Sequence, residues 1–260
     1  MSQMNEYQPG TFNWIDLMTT DAAAAKSFYG DLFGRSFEDI PISDGSSYTI
    51  ARLRDEEVAG LFQPGPDMVG IPPHWTSYVA VDDVGASTQK AAALGGAVIR
   101  EPFDVMEAGR MAVIGDPSGA AFALWQAGQH CGAGLVNEPG ALCWNELLTS
   151  NADAARDFYM QLFGWSAELD SDGPHDYTFF KNGDRPAAGM MPIAADMGDI
   201  PSHWNVYFAV EDCDATLAKA DELGGSTIVP PTDIPEIGRF AVLSDSQNAA
   251  FSVISLENAD

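Results

Sequence analysis

The spacing of apolar positions along the chain changes from the alternation of a strand to the three-to-four-residue repeat of a helix and back again. Residues 11–18 alternate as in a half-buried strand. Asp21 then precedes a segment with helical spacing of its apolar positions, and Gly34 follows that segment as a helix-ending residue. Three further short strands are predicted near residues 36–40, 47–53 and 57–63. The pattern therefore predicts a strand, a helix and three strands.

The same order begins again at residue 74. The phrase HWTSYVAV predicts a strand, Asp82 or Asp83 can cap a second helix, and Gly95 with Gly96 ends it. Three more strands are predicted near residues 97–103, 109–115 and 120–126. One strand-helix-three-strand module is thus followed by another.

The second half of the chain repeats the first. GTFNWIDLMTTD at residues 10–21 returns as GALCWNELLTSN at 140–151, and IPPHWTSYVAVDD at 71–83 returns as IPSHWNVYFAVED at 200–212. A single long period indicates duplication of a whole domain, because a solenoid would show several short ones.

The duplication predicts an α+β fold of four βαβββ modules that form two tandem domains with curved mixed sheets. We expect domains at residues 1–127 and 138–260, joined by a glycine-rich linker at 128–137. A module's helix covers one face of its sheet, so two modules side by side leave a concave inner face. Small-molecule sites favour such concavities.

Composition narrows the possible partners. The chain has 38 acidic and 12 basic residues, and its net charge of −26 disfavours nucleic acid. No apolar run is long enough to span a membrane, and the N-terminal residues lack the pattern of a signal peptide. The three cysteines have no metal-site spacing. We expect a cytoplasmic protein with a small-molecule partner, and a monomer because one chain supplies all four modules.

Several phrases together resemble the vicinal oxygen chelate superfamily, which includes glyoxalase I, extradiol dioxygenases and bleomycin-resistance proteins. They are SFYGDLFG in the first helix, AVDD before the second helix, LGG after it and GDPSGAAFAL at the last hairpin. The resemblance covers nearly the whole chain, twice, and is nearest to tandem glyoxalase-like proteins of actinobacteria. It implies the fold, whereas the reaction must be argued from the site.

The resemblance also implies where metal-dependent members hold their ligands. Three of these positions fall on Trp14, Thr76 and Ala123 in the first copy and on Trp144, Asn205 and Ser252 in the second. The fourth falls in VAGLF and AAGMM, which contain no acid. Because indole and alanine offer no metal ligand, we predict no metal and no cofactor.

The repeated tryptophans, Trp14 and Trp144, therefore stand where relatives hold an ion. A flat side chain with one N–H donor suits stacking on a planar or sugar-like ligand. The alternative is that the two indoles only fill the cavity. In the last strand Trp125 adds a second inward indole to the first copy, where the second copy has Ile254. We therefore expect a narrower, more aromatic first pocket and a roomier, more polar second one.

Two carboxylates share the face of these tryptophans. Side chains alternate along a strand, so Asp16 lies on the face of Trp14 and Glu146 on that of Trp144. Removal from water would raise their pKa values and suit them to general-base catalysis. Alternatively, backbone N–H groups satisfy them, or the repeated arginines, Arg110 and Arg239, pair with them. Those arginines are also candidates for binding an anionic substrate.

Four further polar residues are predicted to face the cavities. By alternation they are Thr76 and Tyr78 in the first copy and Asn205 and Tyr207 in the second. Their hydroxyl and amide groups supply directional hydrogen bonds. His74 and His203 also repeat, but they stand at a strand entrance and are expected to be rim or structural residues.

Three functions fit these residues to different extents. The first is a metal-free enzyme that acts on a small organic molecule by proton transfer, with Asp16 or Glu146 as the base. The second is a protein that binds and sequesters a small molecule, as bleomycin-resistance relatives do. The sequence leaves these two open, with a lean toward the enzyme. A divalent-metal glyoxalase or dioxygenase is a third possibility that the vacant ligand positions disfavour.

Overall fold

A computed structural model describes residues 2–42, 45–65, 70–171 and 176–257. The first copy contains two helices, α1 (Ala22–Phe33) and α2 (Val84–Ala93). Its strands are β1 (Ser2–Gln3), β2 (Phe12–Met18), β3 (Ser36–Pro41), β4 (Ser47–Leu53), β5 (Glu56–Phe62), β6 (His74–Ala80), β7 (Ala97–Val105), β8 (Gly109–Gly115) and β9 (Ala121–Ala127).

The second copy repeats this order with α3 (Ala152–Phe163) and α4 (Cys213–Glu222). A short strand, β10 (Leu135–Val136), lies in the connecting segment before it. The strands of the second copy are β11 (Leu142–Thr149), β12 (Ser166–Asp170), β13 (Tyr177–Asn182), β14 (Arg185–Pro192), β15 (His203–Ala209), β16 (Ser226–Ile234), β17 (Gly238–Ser244) and β18 (Ala250–Leu256). A short 3-10 turn spans Ala195–Met197. No helix in the described ranges is long and apolar enough to cross a membrane.

Each copy builds one eight-stranded mixed sheet. The strand order is β3-β4-β5-β2-β6-β9-β8-β7 in the first and β12-β13-β14-β11-β15-β18-β17-β16 in the second. Parallel pairs β2–β5 and β6–β9 lie inside the modules, and the antiparallel pair β2–β6 joins them. The predicted α+β arrangement of four βαβββ modules in two tandem copies is confirmed.

The predicted helix ends are also present. Asp21 caps α1 by accepting a hydrogen bond from the backbone N–H of Ala24, and Gly34 takes the left-handed conformation after its last turn with φ of 70°. Of the two candidates for α2, Asp83 is the cap, because its carboxylate accepts from the N–H of Ala86.

The first helix of each copy, α1 or α3, packs against the other copy. Phe28 and Tyr29 of α1 share a buried cluster with Phe208 and Phe251 of the second sheet. The Tyr29 hydroxyl donates to the Asp245 carboxylate at 3.1 Å. The equivalent hydrogen bond runs in the other direction: the hydroxyl of Tyr159, in the second copy, donates to the carboxylate of Asp116 in the first copy at 3.1 Å. The two sheets therefore share their cores.

Chain segments at the joint add a second reciprocal pair. Arg35 is buried, donates to the carbonyl of Gly140 at 2.8 Å, and lies 4.6 Å from the ring centre of Phe208. At the equivalent position Trp165 donates to the carbonyl of Gly10 at 2.8 Å. Cation–π contact and a carbonyl acceptor explain how a buried guanidinium is tolerated.

The segment between the sheets, residues 128–137, packs on the first copy. Its strand β10 pairs with β1. The backbone N–H groups of Ala133 and Gly134 donate to the backbone carbonyls of Asn13 and Glu57, each at 2.7 Å. The Tyr7 hydroxyl donates to the carbonyl of Ala133 at 2.7 Å. This segment and the N-terminal residues thus form a layer over the first sheet.

Candidate functional site

A β-bulge in the first strand sets the direction of the site residues. From Trp14 onward the strand alternates as predicted, with Ile15 and Leu17 in the helix-side core. The register shifts between Phe12 and Trp14, so Phe12 turns to the helix side and packs 4.9 Å from the Trp204 ring.

The first carboxylate is held by tyrosines. Asp16 is only 2% exposed, and its Oδ2 accepts hydrogen bonds from the hydroxyls of Tyr78 at 2.6 Å and Tyr48 at 3.4 Å. The Tyr48 oxygen itself accepts from Trp14 Nε1 at 2.9 Å. Oδ1 of Asp16 is buried and has no partner among the described residues.

Burial controls the titration of this carboxyl. Desolvation raises the pKa of Asp16 from 3.8 to about 6, although the Tyr78 hydroxyl and the nearby His74 favour the charged form. An acid that titrates near 6 is largely ionised at neutral pH and still basic enough to accept a proton.

Tyr48 and its counterpart Tyr177 were not predicted as site residues. Each stands over a glycine of the neighbouring strand, because a Cβ at Gly60 would overlap the Tyr48 hydroxyl and one at Gly189 would overlap that of Tyr177. The sequence does carry a sign of these two site residues. A tyrosine recurs in the phrases SYT and DYT, and a glycine recurs in VAGLF and AAGMM on the next strand. These glycines leave room for the tyrosine to reach the carboxylate.

The second copy repeats the arrangement with different side chains. Tyr207 donates to Oε1 of Glu146 at 2.8 Å, and Trp144 Nε1 donates to the Tyr177 hydroxyl at 3.1 Å. Burial raises the pKa of Glu146, against the opposing effect of the hydrogen bonds from Tyr207 and Tyr177. The side-chain amide of Asn205 donates a hydrogen bond to the Ser252 hydroxyl at 2.8 Å.

The two copies differ most in how they are covered. Trp14 is 3% exposed because the ring of His130, from the connecting segment, packs against it with centroids 4.5 Å apart. Trp125 is 5% exposed and donates Nε1 to the His130 carbonyl at 2.9 Å. Trp144, in contrast, is only partly buried.

The repeated arginines lie away from the carboxylates. Arg110 forms an ion pair with Asp104 at 2.6 Å, and Arg239 pairs with Asp214 at 2.6 Å and Asp233 at 2.8 Å. The alternative that they pair with Asp16 and Glu146 is wrong, because both guanidinium groups bind other acids and tyrosine hydroxyls donate to Asp16 and Glu146. The prediction that both arginines lie on strands is confirmed. Their long side chains extend to Asp104 and Asp214, which lie away from the buried carboxylates.

A different arginine, Arg100, lies on the edge strand at the end of the row that begins at Trp14. Neighbouring positions across the sheet run Trp14, Tyr78, Ala123, Val113 and Arg100, so these side chains share one face. The guanidinium lies 4.2 Å from the ring centre of Phe103. Comparison of the two copies could not reveal this residue, because the repeat replaces it with valine.

Of the remaining candidates, Thr76 lies beside Asp16 on the adjacent strand. His74 and His203 stand at the strand entrances, and each ring Nδ1 lies 2.8 Å from a proline carbonyl, of Pro72 and Pro201 respectively. This placement agrees with rim histidines.

The donor set at the sheet centre does not fit a divalent cation. Trp14, Thr76 and Ala123 lie on neighbouring strands at the positions that the family resemblance assigns to metal ligands, and the segment VAGLF beside them contains no acid. Their neighbour Asp16 offers a single carboxylate that is already bound by two hydroxyls. A stable site needs several nitrogen or carboxylate ligands, so we derive no chemistry through a metal here.

Comparisons with known proteins agree with this fold. The family model described as Glyoxalase/Bleomycin resistance protein/Dioxygenase superfamily matches residues 11–124 and 141–252. The chain is 48% identical over 257 residues, 98% of both chains, to a Mycobacterium tuberculosis protein that carries the provisional name glyoxylase CFP32. It is 40% identical over 266 residues, 97% of this chain and 96% of the relative, to the anthracycline biosynthesis protein DnrV of Streptomyces peucetius.

Solved structures share the fold at lower identity. The Mn(II)-bound glyoxalase from Novosphingobium aromaticivorans has a TM-score of 0.66 at 16% identity, over 95% of this chain and 82% of that one. A mutant of 4-hydroxymandelate synthase from Streptomyces coelicolor has a TM-score of 0.63 at 15% identity, over 98% and 94%. The chain therefore belongs to the glyoxalase/bleomycin resistance protein/dioxygenase superfamily.

Proposed function

We propose that this protein acts on a small organic molecule at the inner faces of its sheets, without a metal, by proton transfer to a buried carboxylate. The observation that carries the proposal is a buried carboxylate held by a tyrosine hydroxyl on the inner face of each sheet. Tyr78 holds Asp16 in the first copy, and Tyr207 holds Glu146 in the second.

The geometry assigns a role to each group. The tyrosine hydroxyls hold one carboxylate oxygen and fix its orientation, which leaves the other oxygen to accept a proton from a substrate carbon next to a carbonyl. Burial raises the pKa of both acids, that of Asp16 to about 6 and that of Glu146 above its ordinary value, so each is a stronger base than an exposed carboxylate. The indole beside it supplies an apolar wall that keeps water from the carboxylate.

The alternative is a binding protein that sequesters its ligand. The partly exposed aromatic side chains Trp144, Tyr177 and Phe240 in the second copy favour it. Relatives named for a glyoxylase and for anthracycline biosynthesis support a small organic partner in either case. A metal-dependent glyoxalase or dioxygenase would need ligands that the donor set lacks.

The remaining properties follow from composition and architecture. We place the protein in the cytoplasm, because Cys131, Cys143 and Cys213 are unpaired, as in a reducing compartment. We propose a monomer without a nucleic-acid partner, since one chain completes both sheets and carries a net charge of −26.

Native mass spectrometry and elemental analysis of the purified chain test the proposal. We expect a retained or readily loaded organic molecule and less than about 0.1 equivalent of zinc, iron, nickel or manganese after dialysis, because the donor set is too poor for stable coordination. About one tightly held metal ion per sheet would contradict a metal-free mechanism.

The carboxamide variants Asp16→Asn and Glu146→Gln separate the enzyme from the binding protein. Incubation of the identified ligand with the unaltered protein should change its mass or exchange a carbon-bound hydrogen for deuterium. At ligand concentrations that saturate its binding, the double variant should lose this change, because a carboxamide cannot accept the proton. If the ligand is returned unchanged and unexchanged by the unaltered protein, the binding protein replaces the enzyme.

A further inference from the structure

We infer that the second copy is the working site and that it takes a planar aromatic molecule bearing an N–H or O–H donor, while the first copy is closed by the protein's own connecting segment. The inference rests on the proposed function, since it names the site and the ligand class within it. Four observations lead to it.

The first copy is filled from within. Ala133 and Val136 of the connecting segment pack in the cluster around Trp14, and His130 covers the indole face. The segment is fixed by backbone hydrogen bonds to Asn13 and Glu57, and the His130 ring lies 3.1 Å from the Glu57 carboxylate. A ligand would have to displace these contacts to reach the first indole.

The second copy has an open aromatic wall instead. Trp144, Tyr177, Phe179 and Phe240 are all partly exposed. The rings of Tyr177 and Phe179 lie 4.8 Å apart, and Phe240 lies 6.4 Å from Tyr207. Aromatic surface of this kind favours a flat partner that stacks or packs edge-on.

The polar floor of this face is built to accept hydrogen bonds. Glu146 is 7% exposed and already fixed by Tyr207, so its carboxylate is oriented before a ligand arrives. An N–H or O–H group on the ligand would satisfy the acceptor capacity that an ionised carboxylate retains.

Charge on the same face disfavours an anionic ligand. The row that crosses the sheet from Trp144 continues through Tyr207, Ser252, Val242 and Val229, and carries no basic residue. The equivalent row of the first copy ends in Arg100. The inner face of the second sheet thus presents a carboxylate and aromatic rings, and this row of residues offers no positive charge to an anionic ligand.

Trp144 also provides a built-in reporter. The other five tryptophans, all described, are buried: Trp14, Trp75, Trp125, Trp165 and Trp204. Acrylamide should therefore quench mainly Trp144, and a ligand on the second copy should protect it.

The experiment uses calorimetry with four matched probes on the full chain. 2-Naphthol carries the ring and the donor, 2-methoxynaphthalene lacks the donor, 2-naphthoate is anionic, and cyclohexanol lacks the ring. We expect one 2-naphthol per chain, bound at least about tenfold more tightly than the other three, with protection of Trp144 from acrylamide. The variants Trp144→Ala and Glu146→Gln should each weaken binding by about tenfold or more.

First-copy variants of the same kind, Trp14→Ala and Asp16→Asn, provide the comparison, with thermal unfolding measured for all four. Greater losses from the first-copy pair, or two equivalent sites per chain, would overturn the assignment to the second copy. Equal binding of naphthoate and naphthol, or binding of none of the probes, would overturn the ligand class. Neither result touches the proposed function. That proposal fails if the purified chain holds about one metal ion per sheet, or if native mass spectrometry and deuterium exchange show no small organic molecule that the unaltered protein changes.

Discussion

Replacing Phe251 with alanine should lower the free energy of unfolding by about 3–5 kcal/mol, the usual cost of deleting a fully buried phenyl ring. Phe251 is 0% exposed in the second copy, but its ring contacts Phe28, Tyr29 and Phe33 of the first copy's helix as well as Phe208. The cavity would therefore lie between the copies. We expect the whole chain to unfold at lower denaturant in one transition, because α1 and α3 each complete the core of the other copy's sheet.

Urea unfolding monitored by both fluorescence and circular dichroism checks this expectation. Phe179→Ala is the matched control, since the same ring is only partly buried on the inner face and its loss should cost less. The equivalent residue of the other cluster, Phe122, should behave like Phe251, because it packs on Phe158 and Tyr159 in the same way. Two separate transitions, with only the second copy destabilised by Phe251→Ala, would show that the copies fold independently.

The second large effect is a change in the pH dependence of stability in Asp16→Asn. Burial raises the pKa of Asp16 to about 6 in the folded protein, whereas its ordinary value is 3.8. Between these values the unfolded chain has lost the proton that the folded protein keeps, so stability falls as pH rises from about 4 to about 6. The difference corresponds to about 3 kcal/mol. The variant cannot lose this proton, so its stability relative to the unaltered protein should rise by about that amount across the window.

Unfolding free energies at pH 4 and pH 7 for both proteins measure this difference directly. Asp39→Asn gives a control of opposite sign, because hydrogen bonds from Thr49 and Lys26 lower the pKa of that exposed carboxyl. Its contribution to stability is present above the unfolded pKa and is lost as pH falls through the lower folded value. If Asp16→Asn follows the same pH curve as the unaltered protein, burial does not raise the pKa of Asp16.

The duplication explains how one chain can combine a closed and an open site. Both copies keep the residues that hold the two sheets together, such as Tyr29 with Asp245 and Tyr159 with Asp116. The inner faces differ instead, with indole at position 125 where the repeat has isoleucine. The shared residues serve packing between copies, which requires both halves, while the inner faces are free to diverge.

Much of the site geometry followed from local periodicity. Alternation along the first strand predicted that Trp14 and Asp16 share one face of the sheet and that Ile15 lies on the other face. The same reasoning applied to Trp144 and Glu146. The helix caps followed in the same way, because a cap bonds only to residues within one turn. Module order and the family resemblance also came from the sequence, since both are patterns along the chain.

What the tertiary structure alone decided are contacts between residues far apart in the chain. Tyr48 reaches Asp16 only because Gly60, on the strand between them, has no side chain. His130 covers Trp14 only because the connecting segment folds back on the first sheet. Such contacts depend on strand register and on the path of a loop, which periodicity does not encode. Residue type and alternation thus determined which face each site residue occupies, and long-range packing determined its hydrogen-bond partners, its burial and its pKa.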